Sequence, residues 1–367
     1  MATSVTAAIL REVDSPFQFE KLTLDDLRPS EVLVKITAVG LCHTDLAVQH
    51  GHLPQAFPLV VGHEGAGVIA EVGSAVTDPA VGDEVILSFS SCRRCRNCLT
   101  GREAYCLRFG ALNFAGSRED GTLTLRDGSG DGVHGNFFGQ SSFATHAIVA
   151  ARNVVKLPKG APLDISGPLG CGIQTGAGTI LNSLSVPPGA SVVIAGAGTV
   201  GLAAIMAAKV AGATTIIAVD VLPERLDFAK RLGATHAVNG KEANLAKRIR
   251  EITDGGVSYA VDTTGNASVI AALFDATALG AKIALVGVTK PGSTLDLGLL
   301  SAAGKTVVGV YQGDAVPQNF IPDMLALHDA GAFPFDQLIT RYAFDQIDQA
   351  IADIHTGTTV KAILMMP

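Results

Sequence analysis

The sequence predicts an α/β protein with two domains, a β-rich, barrel-like domain and a doubly wound parallel sheet. Up to about residue 170, short apolar runs such as Val32–Val39 and Val68–Val72 are separated by glycine and proline, which is typical of β strands joined by tight turns. From Ser191 onward, β-branched runs alternate with longer Ala/Leu-rich segments, which indicates parallel strands joined by crossover helices. A chain of 367 residues also exceeds the length over which one hydrophobic core keeps growing.

The second part of the chain can be divided into individual elements. We predict strands at Val192–Ala195, Thr215–Val219, Ala260–Asp262 and Lys282–Gly287, and helices at Gly201–Ala211, Pro223–Leu232 and Ala243–Thr253. A helix at Gln346–His355 and a strand at Val360–Met365 are expected to return to the first domain. The predicted domains therefore cover residues 1–172 together with 313–367, and residues 173–312.

Composition and charge exclude several classes of protein. A net charge of −7, a pI near 5.7 and only short Lys/Arg clusters argue against nucleic acid as a partner. The first residues contain no basic leader, so we expect a cytoplasmic protein. The apolar run Val192–Ala208 is nearly long enough to span a bilayer, but its glycines at phosphate-loop spacing favour a buried strand and helix over a membrane segment.

The six cysteines fall into two patterns that fit zinc binding. The first pattern, C-x2-C-x2-C-x7-C, comprises Cys92, Cys95, Cys98 and Cys106. Four thiolates within one loop saturate a tetrahedral zinc ion and leave no position for a substrate, so this site is expected to be structural. Because the cytosol keeps thiols reduced, metal binding fits this spacing better than disulfides do.

The second pattern joins Cys42 and Cys171 with His63, which lies in the motif Gly62-His63-Glu64. These ligands are far apart in sequence and supply two sulfurs and one nitrogen. A catalytic zinc uses three protein ligands and keeps its fourth position for water or substrate. We therefore expect two zinc ions per subunit, one closed and one open.

A glycine fingerprint predicts a Rossmann domain that binds a dinucleotide. Gly196, Gly198 and Gly201 form G-x-G-x-x-G with Thr199 and Val200, directly after an apolar strand and at the start of a helix. Asp220 ends the next strand, nineteen residues past Gly201. An acid at that position accepts hydrogen bonds from ribose hydroxyls and repels a 2′-phosphate, which favours NAD over NADP. Arg225 is either a further ribose contact or an exposed helix charge.

These motifs occur together in an order that resembles the zinc-dependent medium-chain alcohol dehydrogenases, essentially from end to end. The resemblance implies a GroES-like catalytic domain and assigns Cys42, His63 and Cys171 to the catalytic zinc. It also implies that Glu64 approaches the metal when ligands exchange, or serves only as a neighbouring charge. Further implied roles are an acid that orients the histidine ligand (Asp45) and a hydroxyl that binds the alcohol and begins a proton relay (Thr44).

The resemblance also implies cofactor contacts and one departure. Nicotinamide contacts are expected at Thr175, Val200, Val286 and Val288, and pyrophosphate contacts at His43 and Lys361. For the apolar members of this set, ordinary core packing is the alternative. Position 47 is Ala47, where well-known members carry a relay histidine, so water, the ribose hydroxyls, His50 or His52 must complete proton exit.

The implied alcohol pocket contains Phe89, Phe137 and Phe138, and the sequence as a whole looks most like the aryl-alcohol dehydrogenases. Aromatic walls favour an aromatic substrate. We therefore predict reversible oxidation of aryl or allylic primary alcohols to aldehydes with NAD, by a homodimer or homotetramer. Alternatives are an enzyme for aliphatic, terpenoid or S-hydroxymethylglutathione substrates, a zinc-free quinone or enone reductase, and a non-enzymatic NADH-binding protein.

Overall fold

The structure is a computed structural model that describes residues 3–367. The strands, in chain order, are Ser4–Leu10 (β1), Gln18–Leu24 (β2), Glu31–Gly40 (β3), Leu59–Val60 (β4), Gly65–Val72 (β5), Glu84–Leu87 (β6), Leu125–Arg126 (β7), Gly132–Val133 (β8), His146–Ala150 (β9), Val154–Lys156 (β10), Ser191–Ala195 (β11), Thr215–Asp220 (β12), His236–Asn239 (β13), Val257–Asp262 (β14), Thr277–Leu285 (β15), Thr306–Gly309 (β16), Ile339–Ala343 (β17) and Lys361–Met365 (β18).

The helices, in the same order, are His43–Gln49 (α1), Arg96–Leu99 (α2), Phe109–Asn113 (α3), Leu163–Ser166 (α4), Gly172–Gly178 (α5), Thr199–Val210 (α6), Pro223–Leu232 (α7), Leu245–Thr253 (α8), Ala267–Ala276 (α9), Leu297–Ala302 (α10), Pro317–Asp329 (α11) and Ile347–Thr356 (α12). Short helical turns lie at Phe137–Gly139 and Gly167–Gly170. Within residues 3–367, no helix is long and apolar enough to cross a membrane.

The chain packs into two units. Of the described residues, the first unit contains 3–171, 316–325 and 336–367, and the second contains 172–315 and 326–335. The predicted domain limits at residues 172 and 313 lie within three residues of the unit limits at 171 and 316. Residues 326–335 were expected in the first domain but group with the second unit, where the His328 ring packs against Phe335 at 4.6 Å between centroids. The domain limits themselves stay a prediction.

The first unit is built around β3, which is buried except at the exposed Lys35 and the half-buried Thr37. It pairs antiparallel with β5, β9 and β18, so three different parts of the chain meet along one strand. This seven-stranded sheet has the order β10-β6-β5-β3-β18-β17, with β9 paired to β3 off this path, and a second sheet has the order β4-β1-β2-β7-β8. The last strand β18 lies beside β3, in agreement with the predicted return of the chain's end to the first domain.

The second unit is a parallel six-stranded sheet with the order β13-β12-β11-β14-β15-β16. Its buried β-branched strands alternate with the helices α6 to α10, so the predicted doubly wound α/β class is confirmed. The order reverses between β11 and β14, and the carboxyl ends of these two strands are where such sheets bind ligands. The sequence did not predict β13 and β16, because each of these edge strands contains an apolar run of only two residues and is mostly not buried.

A buried ion pair ties the loop after α3 to the start of β3. The Arg118 Nε and Nη2 atoms donate to the two oxygens of Glu31 at 2.7 and 2.9 Å, and the Arg118 side chain is only 3% exposed. Removing one partner of a buried pair leaves the other charge without compensation, which costs more than the pair itself contributes.

We expect Arg118→Met to lower the free energy of unfolding by about 3 kcal/mol, because Glu31 would lose its partner. Arg28→Met is the matched control: Arg28 pairs with Asp120 while 39% exposed, and such surface pairs contribute about 1 kcal/mol or less. Urea titration followed by circular dichroism measures both variants. Equal midpoints for the two variants would contradict the prediction.

Candidate active site

Four side chains from three distant parts of the sequence converge within the first unit. One ligand atom each from Cys42, His63, Glu64 and Cys171 lies within 4.8 Å of the others. Cys42 caps α1, just after β3 ends, while His63 and Glu64 lie in the turn before β5. Cys171 follows the helical turn Gly167–Gly170. The structure therefore brings together the three residues that the sequence pattern grouped and Glu64, which the resemblance placed beside the metal.

Asp45 fixes the orientation of the His63 ring. The fully buried Asp45 Oδ1 lies 2.9 Å from His63 Nδ1 and accepts a hydrogen bond from the Gly62 amide at 3.0 Å. Its Oδ2 accepts one from the Cys42 amide at 3.1 Å. Because a carboxylate accepts, Nδ1 carries the proton and the lone pair lies on Nε2. This is the geometry that the proposed role of Asp45 requires.

The donor set fits a zinc ion. His63 Nε2 is buried and has no hydrogen-bond partner among residues 3–367, although buried polar atoms are normally paired. It lies among two thiols, and sulfur with nitrogen is the set that zinc prefers. The hydrogen bond from Cys171 lowers the pKa of Cys42, despite its burial, while the bond to Cys42 and burial raise the pKa of Cys171.

Glu64 pairs with the buried Lys361, for which the resemblance implied a pyrophosphate contact instead. Lys361 Nζ lies 2.8 and 2.9 Å from the two Glu64 oxygens and donates to the Leu41 carbonyl at 3.0 Å. Burial opposes the charge of Lys361, but Glu64, Cys42 and Cys171 together outweigh it and raise the pKa of Lys361 to about 12. A side chain at Gly40 would place Cβ 2.0 Å from Glu64 Oε2, so only glycine fits there. The predicted pyrophosphate contact of Lys361 stays a prediction.

Thr44 lies beside the sulfur of Cys42, with 3.7 Å between Oγ1 and Sγ. Ala47 is half-buried on the same helix and offers no titratable group. His50 ends that helix, with its Nδ1 2.8 Å from Asp14 Oδ1, and the His52 ring lies 6.2 Å from it. Two histidines are candidates for proton exit, His50 and His52. Of these, His50 is paired with an acid, Asp14. His43 is exposed at the start of the helix.

The three predicted pocket phenylalanines are buried, and two of them touch the histidine ligand. The Phe138 ring stacks on His63 with centroids 4.4 Å apart and 22° between planes, while Phe137 meets it edge-on at 5.6 Å. Phe89 packs against Phe109 at 5.7 Å. Sequence reasoning missed Phe109 and the neighbouring Phe114, whose only signal is that they follow Cys106 within eight residues. The expected substrate contacts stay a prediction.

The second group of cysteines also converges. The ligand atoms of Cys92, Cys95, Cys98 and Cys106 lie within 4.8 Å of one another, and all four thiols are free of disulfides. Cys106 Sγ accepts hydrogen bonds from the backbone amides of Cys92 and Arg108 at 3.3 and 3.4 Å. Backbone hydrogen bonds from Cys98 and Leu107 lower the pKa of Cys95 to about 6. Backbone donors of this kind favour thiolates, the form that binds metal.

The glycine fingerprint of the second unit has the shape that a pyrophosphate requires. Gly196 has a φ of +90°, and a Cβ at Gly201 would lie 1.7 Å from the Gly196 carbonyl. Gly198 is exposed with open space where its Cβ would be, so a ligand can approach the backbone there. Asp220 Oδ2 accepts from the Ala197 amide at 2.6 Å, which connects this acid to the fingerprint loop.

The other predicted cofactor residues differ in exposure. Thr175, Thr199, Val200 and Val286 are half-buried, whereas the Val288 side chain is 98% exposed, so the core-packing alternative is wrong for Val288. Arg225 is 8% exposed, so the exposed-charge alternative is wrong for it. Burial lowers the pKa of Arg225, with Asp220 opposing the shift.

Comparison with known proteins agrees with this arrangement. Residues 28–159 match the family described as alcohol dehydrogenase GroES-like domain, and residues 199–329 match the family described as zinc-binding dehydrogenase. The geraniol dehydrogenase of Castellaniella defragrans is 43% identical over 99% of this chain and 98% of its own length. The chain belongs to the zinc-type alcohol dehydrogenases. The predicted family and its GroES-like and Rossmann-type folds are therefore confirmed.

Solved structures of similar alcohol dehydrogenases extend the comparison. An alcohol dehydrogenase zinc-binding domain protein from Burkholderia ambifaria is 48% identical, with a TM-score of 0.98 and all of both chains covered. Benzyl alcohol dehydrogenase from Acinetobacter calcoaceticus is 44% identical, with a TM-score of 0.96 and the same coverage. The two named substrates of these relatives, benzyl alcohol and geraniol, differ, so the comparisons fix the alcohol dehydrogenase class and leave the particular alcohol open.

In this alcohol dehydrogenase, Gln140 is a site residue that sequence reasoning missed. Its Nε2 donates to the His63 carbonyl at 3.0 Å, and its Oε1 accepts from the Gly65 amide at 3.1 Å. Gln140 is 2% exposed. It thus binds the backbone on both sides of Glu64. No motif surrounds it in the sequence, so only the fold reveals this contact.

We expect Cys42→Ala and Cys171→Ala each to remove the zinc of the open site and to abolish turnover, because each deletes a ligand of the set. Cys95→Ala should instead empty the other site and lower stability, since structural zinc contributes directly to folding. Zinc per chain is measured by elemental analysis and the melting temperature by circular dichroism. The same pattern for all three variants would contradict the division into open and closed sites.

Proposed function

We propose that this enzyme oxidises a primary alcohol to its aldehyde by transferring hydride to NAD, with one zinc at the open site and a second at the four cysteines. The observation that carries the proposal is the convergence of Cys42, His63 and Cys171 on one point, with the Thr44 hydroxyl beside it. The predicted cytoplasmic location and homodimer or homotetramer remain predictions.

Zinc held by Cys42, His63 and Cys171 would polarise the alcohol oxygen and so lower the pKa of the hydroxyl. Thr44 lies where its hydroxyl can accept the alcohol proton and pass it on. Asp45 keeps the His63 proton on Nδ1, which holds Nε2 available as a ligand. Because Ala47 carries no proton acceptor, the proton must leave from Thr44 through water or cofactor hydroxyls, or reach His50 at the end of α1.

The substrate class we propose is a primary alcohol whose hydroxymethyl carbon is bonded to an unsaturated carbon. Benzyl alcohol and geraniol, the substrates in the names of two relatives at 44% and 43% identity, share that feature. An adjacent double bond or ring stabilises the aldehyde by conjugation. The aromatic cluster that includes Phe89, Phe137 and Phe138 supports this class, with benzyl-type alcohols as the first choice. Geraniol-type terpenoid alcohols are the second candidate because of the relative from Castellaniella defragrans.

We expect kcat/KM with NAD to be higher for benzyl alcohol than for cyclohexylmethanol, its saturated counterpart, and higher for geraniol than for citronellol. The difference should be about two- to tenfold, the range that one aromatic contact gives. Steady-state rates and a zinc count on the same preparation test this expectation. Hexan-1-ol and S-(hydroxymethyl)glutathione complete the panel, and preferential turnover of either would overturn the proposed class.

We expect Asp220→Asn to raise kcat/KM with NADP relative to NAD, because the substitution removes the charge that would repel a 2′-phosphate. Asparagine can still accept the hydrogen bond from the Ala197 amide, so the loop contact at 2.6 Å is retained. Glu224→Ala, which removes an exposed acid from the first turn of α7, is the control and should leave the ratio unchanged. An unchanged ratio in Asp220→Asn would assign cofactor selection to another residue.

A further inference from the structure

We propose that the segment Phe137–Phe143, called here the Phe segment, is a positioning device for the histidine ligand, with Phe138 and Gln140 as its positioning residues. The inference rests on the proposed metal site. It adds that metal binding there requires the Phe segment as well as the ligands themselves. The segment holds both the backbone and the ring of His63.

The backbone contact runs along the whole turn that carries the ligand. Four hydrogen bonds run from the Phe segment to carbonyls of residues 60–63: Ser141 Oγ to Val60 O at 2.6 Å, Phe143 N to Val61 O at 3.0 Å, Ser142 N to Gly62 O at 2.8 Å and Gln140 Nε2 to His63 O at 3.0 Å. A fifth runs in the opposite direction, from Gly65 N to Gln140 Oε1 at 3.1 Å. The turn therefore cannot shift without breaking bonds to buried partners.

The ring contact fixes the plane of the imidazole. Phe138 stacks on one face of His63 at 4.4 Å, and Phe137 meets it edge-on at 5.6 Å. Asp45 fixes the ring from the Nδ1 side, 2.9 Å away. Asp45 therefore holds one edge of the imidazole, and the two phenylalanine rings hold its plane. In this orientation Nε2 faces the sulfurs of Cys42 and Cys171.

The backbone of this region adopts a left-handed conformation at several positions. Four residues in a row of six have positive φ, namely Asn136 at 56°, Phe138 at 51°, Gly139 at 68° and Ser141 at 56°. A left-handed conformation is unfavourable for phenylalanine, and it persists where the surrounding contacts require it. In Phe138 that conformation accompanies the stacking of its ring on His63.

Burial shows how closely both rings are held. Phe137 is fully buried and Phe138 is 3% exposed, so protein contacts fix each ring against His63 whether or not a substrate reaches its edge. The neighbouring Phe114 belongs to the same aromatic cluster and packs edge-on against Phe138 at 5.2 Å. Its ring contacts phenylalanine rings and not the histidine ligand, within residues 3–367. Phe114 is therefore a matched control for the loss of one ring from the cluster.

The test compares Phe138→Leu with Phe114→Leu in the zinc-loaded enzyme and in enzyme produced with Co²⁺. Phe138→Leu is expected to weaken metal retention at the open site by about three- to tenfold, the effect of losing one aromatic contact. It should also shift the cobalt absorption bands of the open site, and Phe114→Leu should do neither. Chelator competition measures retention, and the four-cysteine site of the same chain reports general damage to the fold.

Equal effects of the two variants would overturn the inference, as would a Phe138→Leu enzyme that changes only KM for alcohols. If Phe138→Leu empties both metal sites and lowers the melting temperature, Gln140→Met tests the backbone contact instead. A cobalt spectrum unchanged in Gln140→Met would then overturn the proposal. Wild-type enzyme with no metal at Cys42, His63 and Cys171 is a different result, since it would refute the proposed function and this inference together.

Discussion

The geometry of the candidate site depends on one buried carboxylate, that of Asp45. A carboxylate inside a protein is tolerated only when its oxygens are fully hydrogen-bonded. Here the donors are the Cys42 amide, the Gly62 amide and His63 Nδ1, from the start of α1 and from the turn before β5. Because one small group must satisfy all three, these two pieces of chain have a single relative position. That position is what brings a sulfur and an imidazole nitrogen together.

A second buried charge extends the same principle to the end of the chain. Glu64 pairs with Lys361, the first residue of β18, and the lysine also binds the carbonyl of Leu41. The pair lies next to the end of β3, where β18 pairs with that strand. An unpaired charge at either position would be costly, so the strand and the site stabilise each other. Gly40 is part of this arrangement, since any side chain there would collide with the Glu64 carboxylate.

The sequence predicted the parts of the protein in which chemistry restricts both residue type and spacing. Four cysteines within one loop indicate a metal site, and three glycines between a strand and a helix indicate a phosphate-binding turn, because few unrelated structures need those residues at those intervals. The ion pair between Glu64 and Lys361 could not be predicted, because the residues are 297 positions apart and no spacing rule relates them. The same holds for Gln140, a single polar residue whose partners lie 75 and 77 positions away.

With zinc bound, the two cysteine sites would differ most in charge, and that difference would suit one site to reaction and the other to a structural role. Four thiolates around a divalent ion leave a complex with a double negative charge, and backbone amides such as those of Cys92 and Arg108 are placed to stabilise it. Two thiolates and a neutral imidazole leave the same ion without net charge, and the nearby Glu64 is already neutralised by Lys361. An ion whose charge is not over-compensated attracts a further oxygen ligand more strongly. His63 in place of a third cysteine would therefore suit the chemistry proposed for the open site, and Asp45 holds the histidine proton on Nδ1, so that Nε2 is the nitrogen available to a metal.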